Sequence, residues 1–309
     1  MKAIYKQMKS YLWLAYIISL PLLSSCTEDT TITTSNSTPV PVIYGTITDH
    51  NVRQQIDLNS STGYFDKSQN KRISNATVTL QEDSVGVTHY YTLAQDSIGS
   101  GIYMTANPMA GRPGWKYKLT VNMDFNQDGS PETYMAECTM LQKLDVDSIN
   151  VTKMKEASYT VYSLNISAQD PKNEKNYYFC KYSVNDSLHN EISKYIVFDD
   201  IGLDGMYVKD LAIWHFFDKS NKSKFSDQDA DEMVFLSGGD RMSAEVSNIT
   251  KGYYDFITSC QNQKNGSNPF FGGPPANIPT NISGGARGYF TAYATSSAKC
   301  VVATKFTAN

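Results

Sequence analysis

Residues 116–139, KYKLTVNMDFNQDGSPETYMAECT, decide the fold class. On both sides of the polar centre, apolar and polar side chains alternate with the period of two that is typical of a β-strand. The centre, DFNQDGSPE, contains Asn, Asp, Gly and Pro, which are the usual residues of turns. The stretch therefore predicts a β-hairpin with an exposed tip at residues 124–132.

The same alternation recurs upstream of this hairpin in short stretches that turn residues separate. These stretches are VIYGTIT, NATVTLQ, HYYTLAQ and GIYMTA, and they begin at Val42. Their spacing is typical of an immunoglobulin-like sandwich of about 100 residues. We expect such a domain over residues 42–142, followed by a linker over residues 143–156.

A second β-rich domain is predicted over residues 157–309, with strands such as SYTVYSLNISAQD and KNYYFCKYSVND. One segment differs, because apolar residues in TKGYYDFITSCQNQKNG recur at helical spacing after Thr250, a plausible N-cap. The predicted fold is therefore all-β, with two immunoglobulin-like β-sandwich domains and one short helix near residues 250–264 in the C-terminal domain.

The N-terminus is typical of an exported lipoprotein. Residues 1–25 place three Lys before an apolar run that is too short to span a bilayer, as in a signal peptide. The run ends in LSSC, a lipobox, so Cys26 is predicted to carry the lipid. Residues 26–41 form a polar tether after that anchor, and Glu28 and Asp29 resemble an export signal to the outer face of the outer membrane.

Composition excludes some partners and leaves the disulfides open. Loss of residues 1–25 lowers Lys+Arg from 27 to 24 against 31 Asp+Glu, a net charge of about −7, which argues against nucleic acid. An exported protein can keep disulfides, and four Cys allow three pairings. Whether one forms stays open, with the C-terminal half favoured; the four are Cys138, Cys180, Cys260 and Cys300.

The hairpin tip has two interpretations. Oxygen-bearing side chains at alternate positions followed by Gly129 match the first part of a calcium loop, although Met135 stands where an EF-hand needs Glu. The other interpretation, a solvated turn, is favoured because a hairpin is expected here anyway. The candidate calcium ligands are Asp124, Asn126, Asp128, Ser130 and Glu132.

The segment from Asn268 to Tyr289 is the candidate interaction loop, because long loops without regular structure are often functional. Its glycines allow close backbone approach, either to a partner or to the protein itself. The residues that we assign to this loop are Phe270, Phe271, Gly272, Gly273, Gly284, Gly285, Arg287 and Gly288.

Two further stretches are expected to be ordinary. SDQDADEM, residues 226–233, is predicted as a charged surface loop, although its acids could also bind a metal. The aromatic residues of IWHFFD, Trp214, Phe216 and Phe217, are expected to face a core rather than a ligand.

No catalytic motif is recognisable, so we expect no enzyme activity, no catalytic residues and no required cofactor. An N-terminal lipid is expected, and calcium at the hairpin tip is the less favoured alternative to a solvated turn. A pair of carboxylates for glycoside cleavage would be invisible in the sequence.

The order of these segments resembles Bacteroidota outer-membrane lipoproteins grouped as domain of unknown function 4249. The specific part is ITKGYYDFI followed by NPFFGGPPANIPTNISGGARGYFTAY. The resemblance implies a surface-exposed, non-catalytic binding accessory to a TonB-dependent outer-membrane transporter in nutrient or metal uptake. The alternatives are a structural or adhesive surface protein and, less favoured, a surface hydrolase.

The lipid anchor gives the first testable prediction. Cys26→Ala removes the thiol that is acylated, so labelling with a fatty-acid analogue should disappear and the protein should become soluble or stay unprocessed. Fractionation of labelled cells measures both effects. Retention of the variant in the membrane with wild-type processing would contradict the anchor.

Overall fold

The structure, a computed structural model, describes residues 38–61, 71–265 and 278–304. The all-β prediction is confirmed. In chain order the strands are β1 (Pro41–Thr48), β2 (Gln55–Ser60), β3 (Thr77–Ser84), β4 (Val87–Gln95), β5 (Ile102–Thr105), β6 (Lys116–Met123), β7 (Glu132–Thr139), β8 (Val146–Glu156), β9 (Tyr159–Gln169), β10 (Tyr177–Val184), β11 (Ser187–His189), β12 (Ile196–Asp199), β13 (Tyr207–Asp218), β14 (Phe235–Leu236), β15 (Arg241–Ile249), β16 (Arg287–Tyr293) and β17 (Thr295–Val301).

Helices are few in the described residues. The α-helices are α1 (Asp227–Glu232) and α2 (Lys251–Asn265), and 3-10 turns cover Ile192–Lys194 and Lys219–Lys224. The α2 helix confirms the predicted helix, and the Tyr253 N–H lies 3.4 Å from Oγ1 of Thr250, the expected N-cap. By contrast, α1 lies where we expected a charged loop, because Ser226 caps its N-terminus by accepting from the Asp229 N–H.

The first seven strands form one eight-stranded sheet with β16, in the order β16-β1-β2-β5-β4-β3-β6-β7. Inward-facing residues at every second position make its core, among them Ile43, Leu80 and Leu119. The two ends of the sheet approach one another, because the Ser283 N–H, just before β16, donates to the Met135 carbonyl of β7 at 2.8 Å. The sheet thus curls round on itself, which differs from the two facing sheets of the expected immunoglobulin-like sandwich.

The hairpin that decided the fold class is confirmed. Strands β6 and β7 pair antiparallel from Tyr117 opposite Cys138 to Met123 opposite Glu132. The tip carries positive φ angles at Gln127 and Gly129. Residues between the two strands therefore form the predicted exposed turn.

The remaining strands form a two-sheet sandwich. One sheet has the order β14-β13-β9-β8, and the other has β11-β10-β15-β17 with β12 on β10. Both contribute to one core, for example Leu164 from the first and Val246 from the second. The predicted linker at 143–156 is corrected, because most of it is β8; Ile149 and Val151 are buried there and give the segment a core to pack against.

Helix α2 packs between the eight-stranded sheet and the two-sheet sandwich. Its buried Tyr253 and Phe256 meet Phe179 of β10 and Tyr289 of β16. We call this cluster the aromatic junction; it consists of Tyr44, Tyr177, Phe179, Tyr195, Ile249, Tyr253, Phe256, Ile257, Tyr289 and Tyr293. The hydroxyl groups of Tyr44 and Tyr253 lie 2.8 Å apart inside it, so the buried polar atoms satisfy each other.

The predicted division into domains 42–142 and 157–309 stays a prediction about folding units. The described residues from Thr38 onward cluster as one compact unit. Moreover, β16 comes from the second range and pairs in parallel with β1 of the first, from Val42 opposite Arg287 to Thr48 opposite Tyr293.

The four cysteines of the described residues, Cys138, Cys180, Cys260 and Cys300, are free thiols, so the structure contains no disulfide among them. Cys180 is fully buried in the core of the sandwich, and burial raises the pKa of its thiol to about 12. That thiol is protonated at neutral pH and contributes to the structure as a small apolar side chain.

The parallel pair β1–β16 predicts a specific stability effect. Gly288 has a φ of +98°, and a Cβ there would lie 2.0 Å from the Ile43 carbonyl oxygen. Gly288→Ala should therefore lower the free energy of unfolding by roughly 3–5 kcal/mol. Gly285→Ala is the matched control, because Gly285 also has a positive φ but has nothing within 4 Å of a new Cβ.

For that control we expect a loss of about 1–2 kcal/mol from backbone strain alone. Urea unfolding measures both values. Equal losses for the two variants would show that the close approach of β16 to β1 does not limit stability.

Candidate functional site

The acidic side chains of the hairpin tip serve the turn itself. The Asp124 carboxylate accepts hydrogen bonds from the N–H groups of Asp128, at 3.1 Å, and of Gly129, at 3.0 Å. Asp128 in turn accepts from the Ser130 N–H at 2.8 Å. These are the local side-chain to backbone bonds for which Asp is favoured in turns.

Glu132 closes the base of the same turn. Its carboxylate accepts from the Phe125 N–H at 2.9 Å and from the side-chain amide of Asn126. No group of three or more His, Cys, Asp and Glu side chains in the described residues is arranged to hold a metal ion. The geometry of the tip thus accounts for its acidic residues without a metal.

A groove of about 580 Å³ lies beside the tip and is the candidate ligand site. Lys71, Arg72, Asp124 and Asn126 are among the residues that line it. Its size is that of common small-molecule sites, and both signs of charge line it. The remaining lining residues are Thr38, Pro39, Ser60, Ile73, Ser74, Asn75, Phe125 and Gln127.

The described part of the candidate interaction loop contacts the protein itself. Asn281 bonds through its side chain to both the N–H and the carbonyl of Phe290, and Ile282 is buried in the core of the first sheet. A Cβ at Gly284 would lie 3.0 Å from the Tyr134 ring, and Gly288 lies against β1. The structure therefore brings Gly284 and Gly288 to the closure of the sheet, whereas Arg287 is exposed.

Some of the predicted residues cannot be placed. Cys26, Phe270, Phe271, Gly272 and Gly273 lie outside the described residues.

The three aromatic residues of β13 that were expected to face a core lie in different environments. Phe216 is buried in the sandwich core, as expected, and Phe217 packs against Tyr159 and Phe225 at the end of the sheet. Trp214 differs, because 48% of it is exposed. A bulge in the pairing of β13 with β9, between Ala212 and Trp214, breaks the alternation that the prediction assumed.

Sequence reasoning missed a buried polar cluster at one end of the curled sheet. Glu82 is fully buried there and accepts hydrogen bonds from the hydroxyl groups of Tyr117, at 3.0 Å, and Tyr91, at 3.1 Å. Nδ1 of His89 lies 3.2 Å from the same carboxylate, and Nε of Arg112 lies 3.8 Å away. The available signal was a charged residue at an inward position of β3, two residues after the buried Leu80.

The protonation of this cluster follows from its burial. Desolvation raises the pKa of Tyr91, and the neighbouring Glu82 charge raises it further. Desolvation also raises the pKa of Tyr117, and its accepted hydrogen bond from the Arg112 N–H only partly opposes the effect. Both phenols therefore remain donors to Glu82 at neutral pH, and the cluster joins β3 to its neighbours β4 and β6.

Comparison with known proteins identifies the family. The family model described as "Domain of unknown function (DUF4249)" matches residues 27–299. A search of curated proteins finds no match. Within the part of the chain that the structure describes, no helix combines the length and the apolar character needed to cross a bilayer.

The hairpin geometry predicts the outcome of a calcium experiment. The carboxylates of the tip already bond to the loop. We therefore expect the difference between the melting temperatures in a few millimolar calcium and in EDTA to be the same for Asp128→Ala as for the wild type. Differential scanning calorimetry of both proteins measures the effect. A calcium-dependent rise in the wild type that disappears in Asp128→Ala would establish the tip as a calcium loop.

Proposed function

The chain belongs to the family of domain of unknown function DUF4249, and we propose that it is a surface-exposed outer-membrane lipoprotein that binds a ligand beside a transporter. One observation supports the proposed lipid anchor at Cys26. The family match begins at residue 27, directly after the cysteine of the predicted lipobox. That boundary fits a mature chain that starts with acylated Cys26.

The groove beside the hairpin tip supports the binding role. Its lining combines the positive charges of Lys71 and Arg72 with the carboxylate of Asp124, and its volume suits a small polar ligand. Thr38 and Pro39, which are the first two described residues, also border it. We assign no reaction to this groove.

The proposed transporter follows from the resemblance to outer-membrane lipoproteins described above, which implies a role beside a TonB-dependent transporter. An accessory that captures substrate must lie near the barrel that imports it, and a lipid anchor restricts the protein to that surface. The binding partner in the membrane is thus proposed to be a TonB-dependent barrel, and the ligand is a nutrient or a metal complex.

Cross-linking in whole cells tests this proposal. After mild cross-linking, a tagged chain should copurify a TonB-dependent barrel in near-stoichiometric amount. An unrelated outer-membrane lipoprotein, tagged and expressed at the same level, is the control and should not recover that barrel.

Other outcomes would support the alternatives. Recovery of a host or matrix protein in place of a barrel would indicate an adhesive protein. Turnover of a glycan or peptide panel by the purified protein would indicate a surface hydrolase.

A further inference from the structure

Two amide oxygens at one end of the C-terminal sandwich have no hydrogen-bond partner. They are Oδ1 of Asn176 and Oδ1 of Asn248, and their residues are only 3% and 4% exposed. Buried polar atoms in folded proteins nearly always have a partner, and a bound water or ion is the usual explanation for those that do not. These two oxygens therefore indicate a ligand.

Two buried carboxylates lie at the same end and have no cationic partner. Asp170 and Asp200 are each 5% exposed, and neither forms an ion pair with a Lys, Arg or His of the described residues. Asp170 accepts from the Tyr178 hydroxyl at 2.7 Å and from the Gly205 N–H at 3.1 Å. Buried carboxylates are normally paired with a cation or bound to a metal, so two that lack a cationic side chain point to a bound cation.

Hydrogen bonds and strand register connect these four residues through Tyr178 and β10. Tyr178 of β10 lies directly opposite Asn248 of β15, so these two side chains share a face, and Tyr178 belongs to the sandwich core. On the other side of β10, the Asn176 N–H donates to the Asp200 carboxylate at 2.8 Å, and the Asp200 N–H donates to the Asn176 carbonyl at 3.3 Å.

The Tyr178 hydroxyl links Asp170 to this face. It donates to Asp170, and its pKa is raised by burial, then by Asp170, and further by the charge of Asp200. Asp170 therefore bonds directly to this hydroxyl group, and Asn248 lies opposite Tyr178 in the sheet, with Asn176 two residues before it in the chain.

We propose that Asp170, Asn176, Asp200 and Asn248 form an oxygen-lined calcium site. Calcium accepts 6–8 oxygen ligands from carboxylates, amide carbonyls and waters in flexible geometry, and two carboxylates balance its charge. Magnesium fits less well because it requires near-ideal octahedral geometry and retains its waters. A water molecule alone would satisfy the amide oxygens but would leave the two buried carboxylates without a cationic partner among the described residues.

The place of the site in the fold gives it a structural role. Asp170 directly follows β9 of one sheet of the sandwich, whereas the other three residues belong to or flank β10, β12 and β15 of the facing sheet. The ion thus joins the two sheets. The site is distinct from the hairpin tip, which belongs to the curled sheet.

Calcium titration of the EDTA-treated mature protein tests the proposal. We expect calcium, at about 10⁻⁴–10⁻³ M, to raise the melting temperature more than the same concentration of magnesium. Terbium should bind at the site with luminescence sensitised by Tyr178, and calcium should displace it. Asp200→Asn, which keeps the shape and removes one charge, should weaken calcium binding at least tenfold.

Two further variants make the result decisive. Asp128→Ala changes the hairpin tip and should leave calcium binding unchanged. Asn248→Leu removes one ligand oxygen at similar volume and should weaken calcium binding at least tenfold, and it serves as the test if Asp200→Asn does not fold.

The proposal is overturned by any of three results. The first is a wild-type melting temperature and terbium emission that do not respond to calcium. The second is a response that Asp128→Ala abolishes and Asp200→Asn retains, which would place the ion at the hairpin. The third is an unchanged calcium response in Asn248→Leu, which would leave only a buried water at the amide oxygens.

Discussion

The parallel pairing of β16 with β1 is the constraint on which the rest of the structure depends. One strand, from the C-terminal part of the chain, closes the N-terminal sheet: Phe290 faces that sheet's core, whereas Tyr289 and Tyr293 face the aromatic junction. Gly288 permits the close approach, because any side chain there would overlap the Ile43 carbonyl. The two halves of the folded unit are thus joined by backbone hydrogen bonds and by shared burial on both faces of a single strand.

The aromatic junction explains why the only long helix of the described residues lies where it does. Helix α2 contributes Tyr253, Phe256 and Ile257 to a space that neither sheet fills alone. Lys181 extends into the edge of this cluster, where its ammonium group donates to the Tyr293 hydroxyl at 3.0 Å and lies 5.4 Å from the ring centroid. A cation over aromatic faces stabilises such a cluster without an acidic partner.

The buried carboxylates of the eight-stranded sheet and of the C-terminal sandwich have different partners. Glu82 receives hydroxyl donors from Tyr91 and Tyr117 and has Arg112 and His89 nearby, so its environment is complete within the protein. Asp170 and Asp200 have hydroxyl and backbone donors but no cationic side chain, and unpartnered amide oxygens flank them. The difference in partners, rather than the number of acidic residues, distinguishes Glu82, which the protein itself satisfies, from Asp170 and Asp200, for which we propose an ion.

The sequence by itself determined the local structure. Period-two alternation predicted the strands and the hairpin at residues 116–139, helical spacing predicted α2, and turn residues predicted the tip at 124–132, because each depends on neighbours in the chain. The linker at 143–156 and the two-sheet form of the first domain were beyond such reasoning, since β8 and β16 acquire partners only through pairing between distant segments. The same holds for the candidate sites: the groove, Glu82 with its tyrosines, and the Asp170 cluster each combine residues far apart in sequence. Only the tertiary structure decided them, because the hydrogen bonds and charges that define a site act through space. The alternation within a single strand does not specify which strand pairs with it.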